Sequence, residues 1–530
     1  MNIGMKKILL LICLISILPL SASLFSSDLV HTHDGLVHLP RIGAFYKALL
    51  EGQFPVRWAG DLNYGYGMPL FIFIYHVPYL FSSIFLLIGL GLVWSFKLSL
   101  LISFLLSGIG MYLFAQAFFK DQKKAFLITL LYQFAPFHLI DLTIRASFGE
   151  IYTYAFLPFV LYFLTRYSQT KNAGFLALSS VAVSFLILSH NSISLLFFGV
   201  SMCFIFFFSR TRRILVYSLF SLALGLMLSA FYWLPALMEH KYTYGDLFMK
   251  ELYRERFPPL WKFFIPNFFD TKSLQIDNIA LQLGVFHVAP LLLGIWMLLK
   301  KFSLLLIISS FFFMSDLSLL FWENISFLRQ FQFPWRFLSV VVFATSLLGF
   351  IYVKFIRKTV YFYLISFLII FSSMTYWFPK EGYDQIKESY YWNFPLNSTY
   401  YGETDVIWSA GPAKSYPKER ISVIEGRGEV WGLQKRSNFQ KFSVSAETDI
   451  KLVSNTQYFP GWRVYVDGVS VPIQFQNEHY RGLITFPVPK GDHMVEIKLE
   501  ESKLRFAADV ISVVGVLFLS LTVILRKKIS

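Results

Sequence analysis

Long apolar runs separated by short basic clusters constrain this chain more than any other feature. A run of about 20 apolar residues crosses a bilayer as a helix, because a helix pairs its own backbone N–H and C=O groups where there is no water. Such runs fall at approximately residues 8–25, 96–118, 125–141, 154–166, 173–189, 192–208, 214–236, 284–299, 302–320, 337–354, 360–378 and 507–525, which predicts about twelve spans. Composition agrees, with 56% of 530 residues hydrophobic and 60 Phe. The net charge of +15 would suit nucleic acid in a soluble protein. Here Lys and Arg cluster between apolar runs, the pattern that orients membrane proteins, so no nucleic-acid partner is expected. Cys13 and Cys203 both lie inside apolar runs, which leaves no disulfide framework and no Cys-based metal site.

Orientation turns on two segments. Lys6 and Lys7 precede the first run, which exceeds the roughly 7–15 residues of a signal-peptide core and so reads as a retained anchor with a cytoplasmic N-terminus. Residues 69–92 decide the rest. If they cross, the clusters at Lys120–Lys124, Arg210–Arg213, Lys300–Lys301, Arg357–Lys358 and Arg526–Lys528 all land outside, against the positive-inside rule. If they lie along or dip into the outer face, broken at His76 and Pro78, every cluster and both termini are cytoplasmic. That second topology is the expected one, in the plasma membrane.

On the outer side, the first loop, residues 28–95, concentrates charge and glycine. Leu36, Leu39, Ile42, Phe45, Leu49 and Leu50 recur at helical spacing and predict an amphipathic helix over 35–51 on the membrane surface, its regular start delayed by Pro40 to about Leu39. Asp34 then sits at or just before the first turn, where a carboxylate ordinarily caps backbone N–H groups. His31, His33 and His38 flank it, and Gly60, Gly65, Gly67 and Pro69 force a turn-rich return that a site would explain. Other outer polar residues are Arg145 and Glu150 in DLTIRASFGE, His190 and Asn191 in LSHNS, the loop 237–283, and Arg329 to Arg336 in RQFQFPWR. By residue type alone, Arg145 and Glu150 suit an ion pair, Arg336 beside Trp335 an interfacial anchor, and His190 a backbone partner at a turn.

The domain boundaries follow from composition: residues 1–380 form the transmembrane domain, 381–504 an outer β domain, and 505–530 a last span with a basic tail. In the β domain, Val495, Ile497 and Leu499 alternate with polar neighbours, and Asp467-Gly468 is a two-residue hairpin signal, so an antiparallel sandwich is expected.

The run HDGLVHLPRIGAFYKALLEGQFPVRWAGDLNYGYGMPLF, then Arg145 and Glu150 as R-x-x-x-x-E, FPWRF at 333–337 and YFPGWRVYVDG at 458–468 resemble the bacterial membrane proteins called YfhO-like or 6-pyruvoyl-tetrahydropterin-synthase-related. That family is similar to the GT-C glycosyltransferases. The resemblance implies a GT-C-like helical membrane protein that transfers a sugar from a polyprenyl-phosphate carrier to an extracytoplasmic acceptor: a cell-wall polymer, glycolipid or protein. By the same resemblance Asp34 is the general base and Glu150 the second-loop acid that positions the acceptor or helps hold a divalent metal. Arg145 or Arg336 would meet the lipid-linked phosphate, and His190 with Asn191, together with His38 and His76, would complete the substrate site. Where the GT-C pattern has Asp-x-Asp or Glu-x-Asp, this chain has His31-x-His33-Asp34, so His31, His33, Asp34 and Glu150 are the metal candidates. Two other classes fit the span pattern: a secondary transporter, which needs a repeat of the first loop that the second half lacks, and a non-catalytic scaffold of envelope assembly.

Overall fold

A computed structural model describes residues 3–245, 251–266, 280–296, 301–356, 358–393, 402 and 404–524. Of the expected basic clusters, Lys300, Arg357 and Arg526 to Lys528 lie outside the described residues, as do parts of the 237–283 loop. Among those described, seven helices are long and apolar enough to cross a membrane, from Gly4–Leu24 to Lys503–Ile524. Three more pass only as bent pairs: Gln122–Gln133 with Pro136–Ile144 at 50°, Arg212–Leu228 with Ala230–Tyr242 at 68°, and Lys301–Phe313 with Asp316–Asn324 at 82°. The first bend has a plain cause, since Ala135 before Pro136 is driven to an extended ψ of 130° and ends the helix. A count of twelve is not confirmed: the described helices supply seven to ten. Gly174–Ile187, with 14 residues, makes a rod of about 21 Å against a hydrocarbon core of about 30 Å.

Residues 69–92 form two short helices, Leu70–Phe73 and the 11-residue Val77–Leu87. The second is only about 16 Å long, too short to cross. Tyr79, Ser83 and Leu86 bury one side of it, while Leu80, Ile84 and Leu87 stay exposed. The Gly35–Leu50 helix differs from expectation in two ways. It begins at Gly35, with Pro40 inside it, and it is packed into the protein rather than laid on a surface, since His38, Arg41, Ile42 and Phe45 are all buried.

β1 (Leu29–Val30) and β2 (Tyr383–Asp384) pair antiparallel and join the first loop to the end of the helical domain. The sandwich follows: β3 (Ile421–Glu425), β4 (Gly428–Arg436), β5 (Phe439–Ala446), β6 (Ile450–Gln457), β7 (Trp462–Val466), β8 (Val469–Val471), β9 (Leu483–Val488) and β10 (Gly491–Leu499). One sheet has the order β4-β5-β10-β7-β8 and the other β3-β6-β9, all pairings antiparallel. Asp467 and Gly468, at φ of 50° and 80°, make the β7–β8 turn, the left-handed pair a type I′ hairpin requires. Phe442, Val464, Leu452, Phe486 and Ile497 fill the sandwich core, which also takes in Trp58 and Ile72 of the first loop. The sandwich therefore sits on that loop. Trp58 meets Trp462 edge-on at 5.3 Å, and a Cβ on Gly60 would come within 2.6 Å of Ser437 Cα, so only glycine allows the approach.

Candidate active site

Two backbone hydrogen bonds stitch the first loop to the second, which precedes the Phe148–Thr170 helix: His33 N–H donates to Ile144 O at 3.2 Å and Asp34 N–H to Arg145 O at 3.0 Å. Thr32 Oγ1 accepts from Gly35 N–H at 3.1 Å, taking the capping role expected of Asp34, whose side chain makes no cap bond. The Asp34 carboxylate is thereby turned to other partners. It is half-buried and lies within electrostatic reach of Arg145, Tyr75 and Tyr79.

Glu150, wholly buried in the first turn of the Phe148–Thr170 helix, is the centre of the cluster. Arg145 grips both its oxygens, Nη1 to Oε2 at 3.2 Å and Nη2 to Oε1 at 3.3 Å. Arg336 adds Nε to Oε1 at 3.1 Å from 186 residues away. Arg145 also donates to Asp141, whose other oxygen accepts from Tyr154 at 2.5 Å, and its guanidinium carbon lies 4.8 Å from the Trp335 ring centre. Arg336 Nη1 donates to Phe331 O at 2.9 Å and Gln332 Oε1 at 3.2 Å, while Nη2 has no hydrogen-bond partner among the described residues. Glu150 is thus held by two guanidiniums, and Asp141 by Arg145 and the Tyr154 hydroxyl. Both fix guanidiniums in place.

His190 caps the Asn191–Phe208 helix, its Nδ1 accepting from Ser192 and Ile193 N–H at 3.1 and 3.2 Å. The neutral ring therefore carries its proton on Nε2, 3.8 Å from Glu150 Oε1. Burial pushes its pKa down to about 3, with Glu150 opposing and the two arginines reinforcing. Tyr75 stacks on this ring at 5.4 Å. Glycine is required at 149, because a Cβ there would lie 2.5 Å from both Ser189 O and the Tyr75 ring.

Asp34, Arg145, Glu150, His190 and Arg336, drawn from four separate stretches, therefore meet. Of the other expected residues, His38 reaches the cluster through Tyr79, whereas Asn191, His76 and His31 bond elsewhere. Asn191 donates to Phe73 O at 2.8 Å and accepts from Tyr232, which clamps the first loop rather than facing the cluster. His76 donates to Phe71 O at 2.8 Å within its own turn. His38 bonds the Tyr79 hydroxyl at 3.0 Å in an aromatic wall with Phe148, behind the cluster. His31 binds Asp384 at 2.7 Å and Glu381 at 3.1 Å, on the β1–β2 pair. With His31 committed there and Glu150 to arginines, the metal candidates His31, His33, Asp34 and Glu150 do not gather at one point. No group of three His, Cys, Asp or Glu among the described residues could hold a metal ion. The donor set does not fit a divalent metal, and no step below uses one.

Asp141, Tyr154, Tyr75, Tyr79 and Gln332 belong to the cluster without having been expected. Only Asp141 had a signal, its spacing of four residues from Arg145 on a helical turn. Next to the cluster lies a small cavity lined by Leu20, Phe96, Leu100, Leu142 and Trp377, with Thr32 and Ala146 connecting it to the two stitched loops and Lys97 as its one cation.

Residues 73–397, more than half of the chain, match a family model described as "6-pyruvoyl-tetrahydropterin synthase related domain; membrane protein". No curated protein matches. Among solved structures, the apo oligosaccharyltransferase of Archaeoglobus fulgidus is 13% identical at a TM-score of 0.47, over 78% of this chain and 61% of its own. The arabinofuranosyltransferase AftD from Mycobacteria is 16% identical at 0.45, over 72% and 28%. The Archaeoglobus fulgidus oligosaccharyltransferase AglB, solved with an inhibitory peptide and a dolichol-phosphate, is 13% identical at 0.42, over 78% and 61%. The chain thus spans about three fifths of the archaeal enzyme and under a third of the mycobacterial one.

Proposed function

The chain belongs to the 6-pyruvoyl-tetrahydropterin synthase related family of membrane proteins, and from that premise we propose that it is a membrane glycosyltransferase. It takes a sugar from a polyprenyl-phosphate carrier and passes it to an extracytoplasmic acceptor hydroxyl. One observation carries this reading: Glu150 and Asp141 hold two guanidiniums in place beside Asp34, the acid of the cluster that solvent still reaches. Transfer to a hydroxyl needs those two parts, a carboxylate to receive a proton and a fixed positive group where phosphate departs. Asp34 takes the acceptor hydroxyl proton as that oxygen attacks the anomeric carbon. The bond from that carbon to the phosphate oxygen breaks with its electron pair on phosphate, and the two open N–H groups of Arg336 Nη2 offset the charge. Arg145, Glu150, Asp141 and His190 are positioning residues.

The test is sugar transfer from labelled polyprenyl-phosphate donors by the purified full chain. Asp34→Asn keeps the shape and removes the charge, so turnover should fall about 10²-fold or more with thermal stability unchanged. Near-normal transfer by that variant would overturn the assignment.

A further inference from the structure

Lys97 is the one charged residue of the Leu92–Phe119 helix, and its side chain is buried at 1% exposed. A charge inside an apolar helix of a membrane protein is costly and marks a site unless it is paired. Lys97 is not paired. Its Nζ donates to two neutral carbonyls, Ser26 O at 2.8 Å and Asp28 O at 2.6 Å, and lies 5.1 Å from the Trp94 ring centre. No carboxylate comes within 4.0 Å of the ammonium among the described residues. The Asp28 carboxylate acts on it only at longer range and accepts instead from the Ser27 hydroxyl at 3.4 Å. An ammonium has three N–H groups, so one is left over.

Lys97 lines the small cavity beside the Asp34 cluster, and no other charged residue does. Trp377, on the same lining, brings a second donor from a separate element: it is 8% exposed, and its Nε1–H is buried without a hydrogen-bond partner among the described residues. A buried donor left unmade is costly, so this one calls for an acceptor. The wall between cavity and cluster is a single segment, in which Leu142, Thr143 and Ala146 face the cavity and Arg145 turns to Glu150. The volume, about 30 Å³, admits a group of a few atoms and excludes a sugar ring. Charge then selects the occupant. A metal ion is repelled by Lys97, and a water satisfies the indole N–H but leaves the ammonium without a counter-charge. A compact oxyanion makes charge-assisted hydrogen bonds to both donors. The cavity lies where the Gly4–Leu24 helix ends and the Leu92–Phe119 helix begins, the level at which a bilayer presents its headgroup phosphates.

We propose that this cavity binds a phosphate group, free or as the head of a lipid, between Lys97 Nζ and Trp377 Nε1. No bond is made or broken there, and the site is separate from Arg336 and independent of the glycosyltransferase reading. The test titrates the purified full chain in detergent with inorganic phosphate, dihexanoyl phosphatidic acid and dihexanoylglycerol, reading the rise in melting temperature that a ligand of the native state produces. A rise with phosphatidic acid alone assigns the site to a lipid head; a rise with inorganic phosphate assigns it to the free anion. Trp377→Phe keeps the packing and deletes the N–H, so the midpoint concentration should increase at least about tenfold, the loss of one hydrogen bond to a charged group. Lys97→Gln keeps a donor for the two carbonyls and deletes the charge, and should abolish the rise. If Lys97→Gln does not fold, Trp377→Phe decides alone. No rise with either phosphate probe, an equal rise with dihexanoylglycerol, or an unchanged midpoint in Trp377→Phe, as phosphate held at Arg336 would give, would overturn the proposal.

Discussion

Glu150 faces two guanidiniums with no surface exposed to water, so removing its charge leaves Arg145 and Arg336 buried and undercompensated. Breaking a buried pair in this way costs about 3–5 kcal/mol. Glu150→Gln should therefore lower the melting temperature sharply, whereas Asp34→Asn should leave it nearly unchanged; equal melting of the two variants would contradict their division of labour. Gly149→Ala should cost about 1–3 kcal/mol by overpacking against Tyr75 and Ser189 O, read in the same melts. The histidines give a pH dependence with a definite sign. Burial pushes His76 down to about 4 and His190 to about 3, so the native state resists protons that an unfolded chain accepts near 6.5. Their contribution is whole above about pH 6.5 and is lost as pH falls toward 4 and below. Melting temperature should drop across pH 6.5 to 4, and His190→Gln, which keeps an acceptor near the helix N-terminus, should flatten that drop. Arg145, Glu150 and Arg336 were legible in sequence because charges among apolar runs are costly unless paired or used. The Arg145–Glu150 pair was legible too, but its third member was not, since Arg336 lies 186 residues from Glu150 and no local pattern encodes that contact.

Among the elements, the hairpin joining β4 to β5 is one tie between the sandwich and the first loop. Its Ser437 takes Gln53 Nε2 at 2.8 Å, and Lys435 reaches Asp61 at 2.9 Å, where Lys47 also bonds. Burial alone would raise Asp61, yet Lys435 and Lys47 hold it down to about 2. A depressed carboxyl stabilises above the ordinary Asp range and loses that contribution as pH falls from about 4 to 2. Asp61→Asn should thus speed amide exchange in residues 57–68 at neutral pH, measured by hydrogen exchange, and leave the sandwich strands protected. Unchanged exchange there would show the tie to be idle. The sandwich strands and the Asp467-Gly468 turn were readable because period-two alternation and turn chemistry are local. The Gly35–Leu50 helix was read with the right length and the wrong surroundings: its apolar spacing is that of a surface helix, but Arg41 and His38 are buried too, bonded to Tyr79. Pro40 fails to delay the helix because Thr32 already caps Gly35 N–H and Asp34 N–H is anchored to Arg145 O of the second loop.

For the whole molecule, the short Val77–Leu87 helix favours the topology that sends all basic clusters to one side. A cysteine at Gln122 should then be labelled only from the cytoplasm and one at Asn438 only from outside; the reverse at Gln122 would invert every face. Span count was less readable than span position, because an apolar run does not reveal where Pro136 bends it or where a helix stops short of the core. On the proposed function, the lipid-linked phosphate binds beside the stitched loops and the arginine-held acids. A polyprenyl phosphate with a photoreactive group on its first isoprene unit tests this most directly, by mapping the peptide it captures in the purified chain. The account predicts capture within residues 28–41, 141–150 or 330–336. Capture confined to the cytoplasmic helix ends, or to helix midpoints as a transporter's central site would give, contradicts it.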